Sequence, residues 1–282
     1  MKIGLQLYSI RNEMKKDPLS AIKKVRDIGY RYIELANHQA DKDSGTGFEI
    51  PAVSLKHFTD SIGVSVINAH LLPCKLEYID KIIEYHTQIG NSKLTTAIEF
   101  FSSKSDVLWK CEEFNKIGKK CKDHGMAFLY HNHFHEFQKI DDKSVFDIIA
   151  ENTDPEYVFF ELDTYWVLRG GVSPVEVLKK LDKRTKLLHQ KDLPDDPSVE
   201  INALQIKDLK NVIDMQEFQR VFSPKDVTEI GSGIMNIQEI IDTANQIGIE
   251  YLIIEQDFSR LSELESVKRS YEQLKEYNNI TY

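Results

Sequence analysis

Short apolar runs rich in β-branched residues alternate along the chain with longer stretches whose apolar residues recur every three or four positions. The short runs are IGLQLY from Ile3, YIELAN from Tyr32, VSVINAHL from Val64, KLTTAIEF from Lys93, MAFLYHNH from Met126, YVFFELDT from Tyr157, KLLHQKD from Lys186 and EYLIIEQD from Glu250. Each has the length and composition of a strand buried on both faces. Helical spacing covers about 17–29, 51–62, 76–89, 105–124, 143–151, 174–182, 236–247 and 262–278. Asp17-Pro18 caps the first of these and fixes its opening turn. Gly29, Gly63, Gly90, Gly125 and Gly248 stand just before the next strand, where a left-handed cap ends a helix.

Eight strand–helix units share 282 residues, about 35 each. That predicts an α/β fold, a single (β/α)8 barrel domain spanning 1–282. The competing architecture, an open doubly wound sheet, carries a glycine-rich phosphate loop after its first strand. Here the first strand runs into SIRNEMKKD, which has no glycine. The stretch 193–230, after the seventh strand, contains three prolines and breaks the rhythm. It reads as an extended loop over the top of the barrel, either a lid or a decorated loop with a short helix.

Composition narrows the function. With 36 basic and 45 acidic residues the net charge is −9, which argues against nucleic acid as a partner. Three cysteines without CxxC spacing exclude a disulfide framework or a cysteine zinc site. MKIGLQLYSIRNE is too short and polar for a signal peptide, and no run is long enough to span a membrane. The cytoplasm and a soluble enzyme without a membrane partner are expected.

Ionisable residues cluster at the ends of the strands, where barrel enzymes carry their chemistry. Strand 3 ends at His70, and strand 5 ends in His131, His133, His135 and Glu136. Strand 6 carries Glu161 and Asp163, strand 7 His189 and Lys191, strand 8 Glu255 and Asp257. Such groups are costly inside an apolar strand unless paired or ligated. Their convergence from adjacent strands predicts a metal site, and mixed imidazole and carboxylate donors suit Mn, Co or Zn. Alternation puts Asp163 nearer the strand end than Glu161, on the same face, so Asp163 is the better ligand.

In these motifs the chain resembles the sugar phosphate isomerase/epimerase family of xylose-isomerase-like barrels, which includes ketose epimerases and inosose dehydratase. The resemblance runs through GLQLYSIR, GYRYIELA, INAHL, YHNHFHEF, ELDTYWV, LLHQKD, GSGIMN and IIEQD, in that order. It implies a (β/α)8 barrel with four metal ligands on strands 5 to 8, of the types Glu, Asp, His and Glu. Carried over, Asp163, His189 and Glu255 take the last three places. Strand 5 departs from the pattern: the glutamate position falls on His131, with His133 and Glu136 as neighbours. His131 is preferred as ligand, with Glu136 as its alternative.

The resemblance implies a divalent-metal-dependent isomerase or epimerase acting on a keto-sugar, polyol or sugar phosphate through an enediolate. With an imidazole replacing one of two facing glutamates, dehydration or lyase chemistry on an inosose or 3-keto-glycoside is the alternative. A non-catalytic sugar-binding barrel is the reading from another class, and dimers or tetramers are common among such barrels. Glu255 is expected as ligand and base, and His133 as acid/base. Lys191 would steady an enediolate or phosphate, or else pair with a strand-6 carboxylate. Tyr8 and Trp166 are candidate sugar-stacking walls. His70 and Glu34 are candidate substrate contacts, Glu99 a weaker one. GSGIMN, from Gly231, could bind a phosphate with its N–H groups or simply turn. His38, His57, His86 and His124 read as solvated or structural.

Overall fold

The computed structural model describes residues 1–282. Eight parallel strands close into a barrel: β1 Lys2–Gln6, β2 Tyr32–Asn37, β3 Ser65–Leu71, β4 Lys93–Thr96, β5 Ala127–His131, β6 Val158–Asp163, β7 Thr185–Gln190 and β8 Tyr251–Ile254. Each pairs with its sequence neighbours, and β1 closes the ring against β8, Lys2 opposite Tyr251 and Leu5 opposite Ile254. This is the predicted (β/α)8 architecture.

Several strands end sooner than their apolar runs. AIEF after β4 and Asn132-His133 after β5 leave the ladder and become the loops of the top face. The predicted helices correspond to α2 Pro18–Ile28, α3 Ala52–Ile62, α4 Ile79–Gln88, α5 Lys104–Asp123, α6 Val145–Asn152, α8 Pro174–Leu181, α10 Ile237–Ile247 and α11 Glu263–Leu274. Asp17 caps α2 by accepting from the Ser20 N–H. Gly63 and Gly248 end α3 and α10 in the left-handed region, at φ 65° and 92°. Two short helices went unpredicted, α1 Arg11–Lys16 and α7 Thr164–Arg169, while α9 Met215–Val221 is a short helix within the 193–230 loop, as one of its two readings had it. No helix is long and apolar enough to cross a membrane.

The core has three parts. The largest fills the space between barrel and helices. A small one, Ile67, Leu129, Leu187, Tyr251 and Ile253, plugs the lower barrel. There Gly4 leaves room for Ile253, whose Cδ1 would lie 2.6 Å from any Cβ at position 4. The third holds the stretch between β7 and α10 over the barrel mouth, packing Phe218 and Val221 of α9 with Phe134, Tyr165, Trp166, Leu193 and Val227. A buried tie fastens this roof: Tyr165 Oη donates to the Asp226 carbonyl at 2.6 Å, and Arg169 pairs with the Asp226 carboxylate at 3.2 Å.

Candidate active site

Above the apolar plug the inward positions turn polar. Strand register sets Gln6 beside Glu34, Glu34 beside Asn68, His70 beside Thr95, His131 beside Glu161 and Asp163 beside His189. Glu34, Asn68, Thr95, Glu161, Asp163, His189 and Lys191 are fully buried, and polar groups so placed hold together only if every donor finds an acceptor.

The lower tier is a carboxylate–imidazole lattice. Asn68 Nδ2 donates to Glu34 Oε2 and Thr95 Oγ1, both at 2.7 Å. His70 Nε2 lies 2.7 Å from Glu161 Oε2 and 3.1 Å from Glu34 Oε1. His189 Nε2 faces Glu34 Oε1 at 2.9 Å and Glu161 Oε1 at 3.2 Å, while its Nδ1 faces Glu255 Oε2 at 3.1 Å. Burial disfavours charge on His189, but Glu161, Glu34 and Glu255 outweigh it and raise its pKa well above the usual imidazole value. Burial and the repulsion of Glu161 push Glu34 up to about 7. Burial opposes ionisation of Glu161 too, yet His189 and His70 keep it well below its usual range.

The upper tier faces the cavity. Lys191 Nζ, one residue past β7, donates to Asp163 Oδ2 at 2.6 Å and to Glu255 Oε2, with Asp257 Oδ2 at 3.6 Å. Burial works against the ammonium, but Asp163, Glu255 and Asp257 keep it charged. Glu255 is held ionised by Lys191 and His189 against the cost of its burial. Asp163 also caps α7, its Oδ1 accepting from the Trp166 N–H at 2.8 Å. Burial, helped by neighbouring imidazoles and Lys191, keeps His131 and His133 neutral.

These side chains line or underlie a cavity of about 300 Å³. His70, His131, His133, Glu255, Tyr8 and Trp166 line it together, as the sequence reading grouped them. Glu34 does not: it lies fully buried, turned toward the two imidazoles. Lys191 is committed to its two carboxylates. Glu136 is engaged beside His133, its oxygens accepting from Tyr130 Oη and the His133 N–H. Glu99 pairs with Lys110 at 3.0 Å. His38, read as solvated or structural, stands in the cavity wall 5.0 Å from the Tyr8 ring. His86 is buried against Asn91. Residues missed in the sequence include Gln6 and, from the roof, Phe218, Phe222 and Phe258. Alternation along IGLQ points Gln6 inward, whereas roof phenylalanines carry no periodic signal.

The donor set fits a divalent ion. His131, Asp163, His189 and Glu255 each offer a ligand atom within 4.8 Å of the others, all buried. His131 Nδ1 is buried without a hydrogen-bond partner, and Lys191 already places a positive charge against two of the four. Two nitrogens and two carboxylates suit zinc, cobalt or manganese.

The GSGIMN loop takes a different role from anion binding. Asp192 fills it from within: its Oδ2 accepts from the N–H groups of Gly231 and Gly233, both at 3.0 Å, and its Oδ1 from Leu193 and Met235 at 2.9 and 3.1 Å. A side chain at Gly233 would strike Leu193 and Asp192. The phosphate-ready N–H groups are therefore spoken for by the protein's own carboxylate.

Comparison with known proteins agrees with this architecture. The family model described as xylose isomerase-like TIM barrel matches residues 22–277. An inosose dehydratase of Clostridium perfringens is 26% identical over 177 residues, which cover 61% of this chain and 56% of that protein. The chain thus matches about half the length of that relative. A sugar phosphate isomerase/epimerase of Parabacteroides distasonis superposes with a TM-score of 0.76 at 26% identity, over 97% of this chain and 93% of that one. The IOLI protein, whose crystal structure holds a zinc atom, shares the fold at a TM-score of 0.69 and 13% identity, over 99% and 100% of the two chains.

Proposed function

Because the chain belongs to the xylose isomerase-like TIM barrel family, we propose that it is a metal-assisted carbon–oxygen lyase that removes water or an alcohol from a keto-polyol or keto-glycoside. The observation that carries this reading is the asymmetry of the site. One side offers the fixed carboxylate of Glu255; the other offers neutral imidazoles, His131 and His133. Two opposed carboxylates would suit a symmetrical exchange of protons, as in epimerisation. A single neutral imidazole suits elimination, since it can take a proton and then return it to a leaving oxygen. The likeness to inosose dehydratases supports the same choice.

His131, Asp163, His189 and Glu255 would hold the ion. When bound it supplies Lewis acidity toward the substrate's carbonyl oxygen. His133 takes the proton from the carbon next to the carbonyl; the C–H pair enters the new double bond and the C–O bond one carbon further breaks. The imidazolium then protonates the departing oxygen. Glu34 and Glu161 position His189 by accepting from its Nε2, and Trp166, 5.4 Å from the His133 ring, fixes that ring in place. Manganese, cobalt and zinc are all compatible with the donors.

The test is deuterium wash-in from D2O at the carbon next to the carbonyl of an inosose, with and without added manganese. Wild-type protein should exchange and eliminate water, and chelation should stop both. His133→Asn should lose at least 100-fold while retaining one equivalent of metal; Glu255→Gln should lose metal as well. Exchange in His133→Asn within tenfold of wild type refutes the proton carrier, and metal-independent exchange refutes the role of the ion.

A further inference from the structure

The walls of the cavity differ sharply from its floor. Above the imidazoles stand Trp166 from α7, Met215 and Phe218 from α9, Phe222 just beyond it, and Phe258 after β8. Leu72, Ala97 and Ile98 line the cavity with them. The aromatic rings brace one another: Trp166 and Phe222 lie 4.8 Å apart, Phe222 and Phe258 5.3 Å, and Phe218 stacks on the buried Phe134 at 5.2 Å. Met215 and Phe258 are 41% and 36% exposed at the mouth. Apolar area left open to water in an otherwise filled roof is stabilised when a ligand covers it.

Charge gives a second, independent constraint. No Lys or Arg lines the cavity, and its acidic members are Glu255 and Asp257. Lys191 beneath it is spent on Asp163 and Glu255. Arg11, nearby, donates to the carbonyls of Tyr8 and Asp257 and lies on the Tyr8 ring. The GSGIMN loop, whose backbone N–H groups would suit a phosphate, holds Asp192 instead. No Lys or Arg side chain within the lining is there to balance a phosphate or carboxylate on the substrate.

We infer that the mouth of this cavity is an apolar subsite for a planar ring carried by the substrate, so that the enzyme acts on neutral, unphosphorylated keto-sugars bearing an aromatic group. The keto-polyol end rests on the His131–His133–Glu255 floor, and the ring lies among Trp166, Phe222 and Phe258. The inference rests on the elimination reading above and adds its substrate class.

Three probes test it: the methyl and phenyl β-glycosides of 3-keto-glucose, and the methyl glycoside 6-phosphate. Each is assayed for deuterium wash-in and for release of alcohol or phenol, on the metal-loaded enzyme. The phenyl glycoside should show a kcat/KM for wash-in at least tenfold above the methyl glycoside, and the phosphate at least tenfold below it. Wash-in is the measure compared because phenol is also the better leaving group. Phe222→Ala should bring the phenyl-to-methyl ratio close to one; Phe258→Leu, at the exposed rim, should lower it without a burden on folding. Equal wash-in from both glycosides, or a phosphate that matches the methyl glycoside, overturns the subsite while leaving the elimination reading intact. Absence of wash-in from every probe overturns that reading and the subsite with it.

Discussion

Replacing Lys191 by methionine probes how the site balances its charges. The ammonium is fully buried, 2.6 Å from Asp163 Oδ2 and in contact with Glu255. At an effective dielectric near 20, one such contact is an attraction of about 6 kcal/mol. Dehydration of the ammonium opposes this by several kcal/mol. Removing one partner of a buried pair and leaving the other stranded costs roughly 3–5 kcal/mol. For a protein of this size that is a drop in Tm of about 6–20 °C. The variant should show this loss in urea unfolding with a chelator present. Added manganese, cobalt or zinc should then stabilise Lys191→Met more than wild type, since the ion supplies the missing positive charge to the same carboxylates. At 100 times its Kd a ligand contributes about 2.7 kcal/mol, and the gap narrows by whatever part of that wild type, binding the ion more weakly, does not also gain. A variant as stable as wild type in chelator would refute the charge balance. A gap that no divalent ion narrows would refute the carboxylates as ligands.

Other outcomes follow from the same structure. Asp192→Ala strands four backbone N–H groups and should cost about 2–4 kcal/mol, with hydrogen exchange faster at Gly231, Gly233 and Met235; unchanged protection would contradict the cradle. Gly4→Ala places a methyl against Ile253 inside the barrel and should cost about 1–3 kcal/mol, partly recovered by Ile253→Val; a neutral result would mean the plug is loosely packed. Burial lowers His86 to about 3, with Asn91 donating to its Nδ1. The unfolded chain then binds the extra proton between pH 6.5 and 3, so this contribution is full above 6.5 and falls by up to about 1.4 kcal/mol per pH unit below it. His86→Leu should flatten that part of the stability profile between pH 7 and 5, and an unchanged slope would refute the assignment.

Much of the barrel was legible because its signals are local. Eight apolar runs, the Asp17-Pro18 start and five terminating glycines each act within a few residues, and the strands and helices follow them. Strand ends were overdrawn where apolar residues continue past the last ladder bond, as in AIEF after β4. The upper tier was legible as well, since alternation along ELDTYW, LLHQKD and IIEQD turns Asp163, Lys191 and Glu255 to one side. The lower tier was legible only in part: His70, Glu34 and Glu161 stood out as ionisable strand residues, but their mutual contacts did not. Asn68 and Thr95 are unremarkable residues in a strand, and Glu34 meets His189 only because the closed ring brings together positions 155 apart in sequence. The loop at Gly231 shows the same limit: its glycines announce a set of N–H groups, but only the fold reveals that Asp192 has already claimed them.

Asp163 carries two loads at once. One oxygen meets Lys191, and the other caps the helix on which Trp166 sits. Lys191 Nζ also lies 5.7 Å from the Trp166 ring, so the charge around that indole depends on what Asp163 is holding. The second tryptophan, Trp109, is 59% exposed on the outer surface and can be replaced by phenylalanine. The chain therefore contains its own optical gauge: in a Trp109→Phe background, the emission of a single indole reports on the state of the centre beneath it.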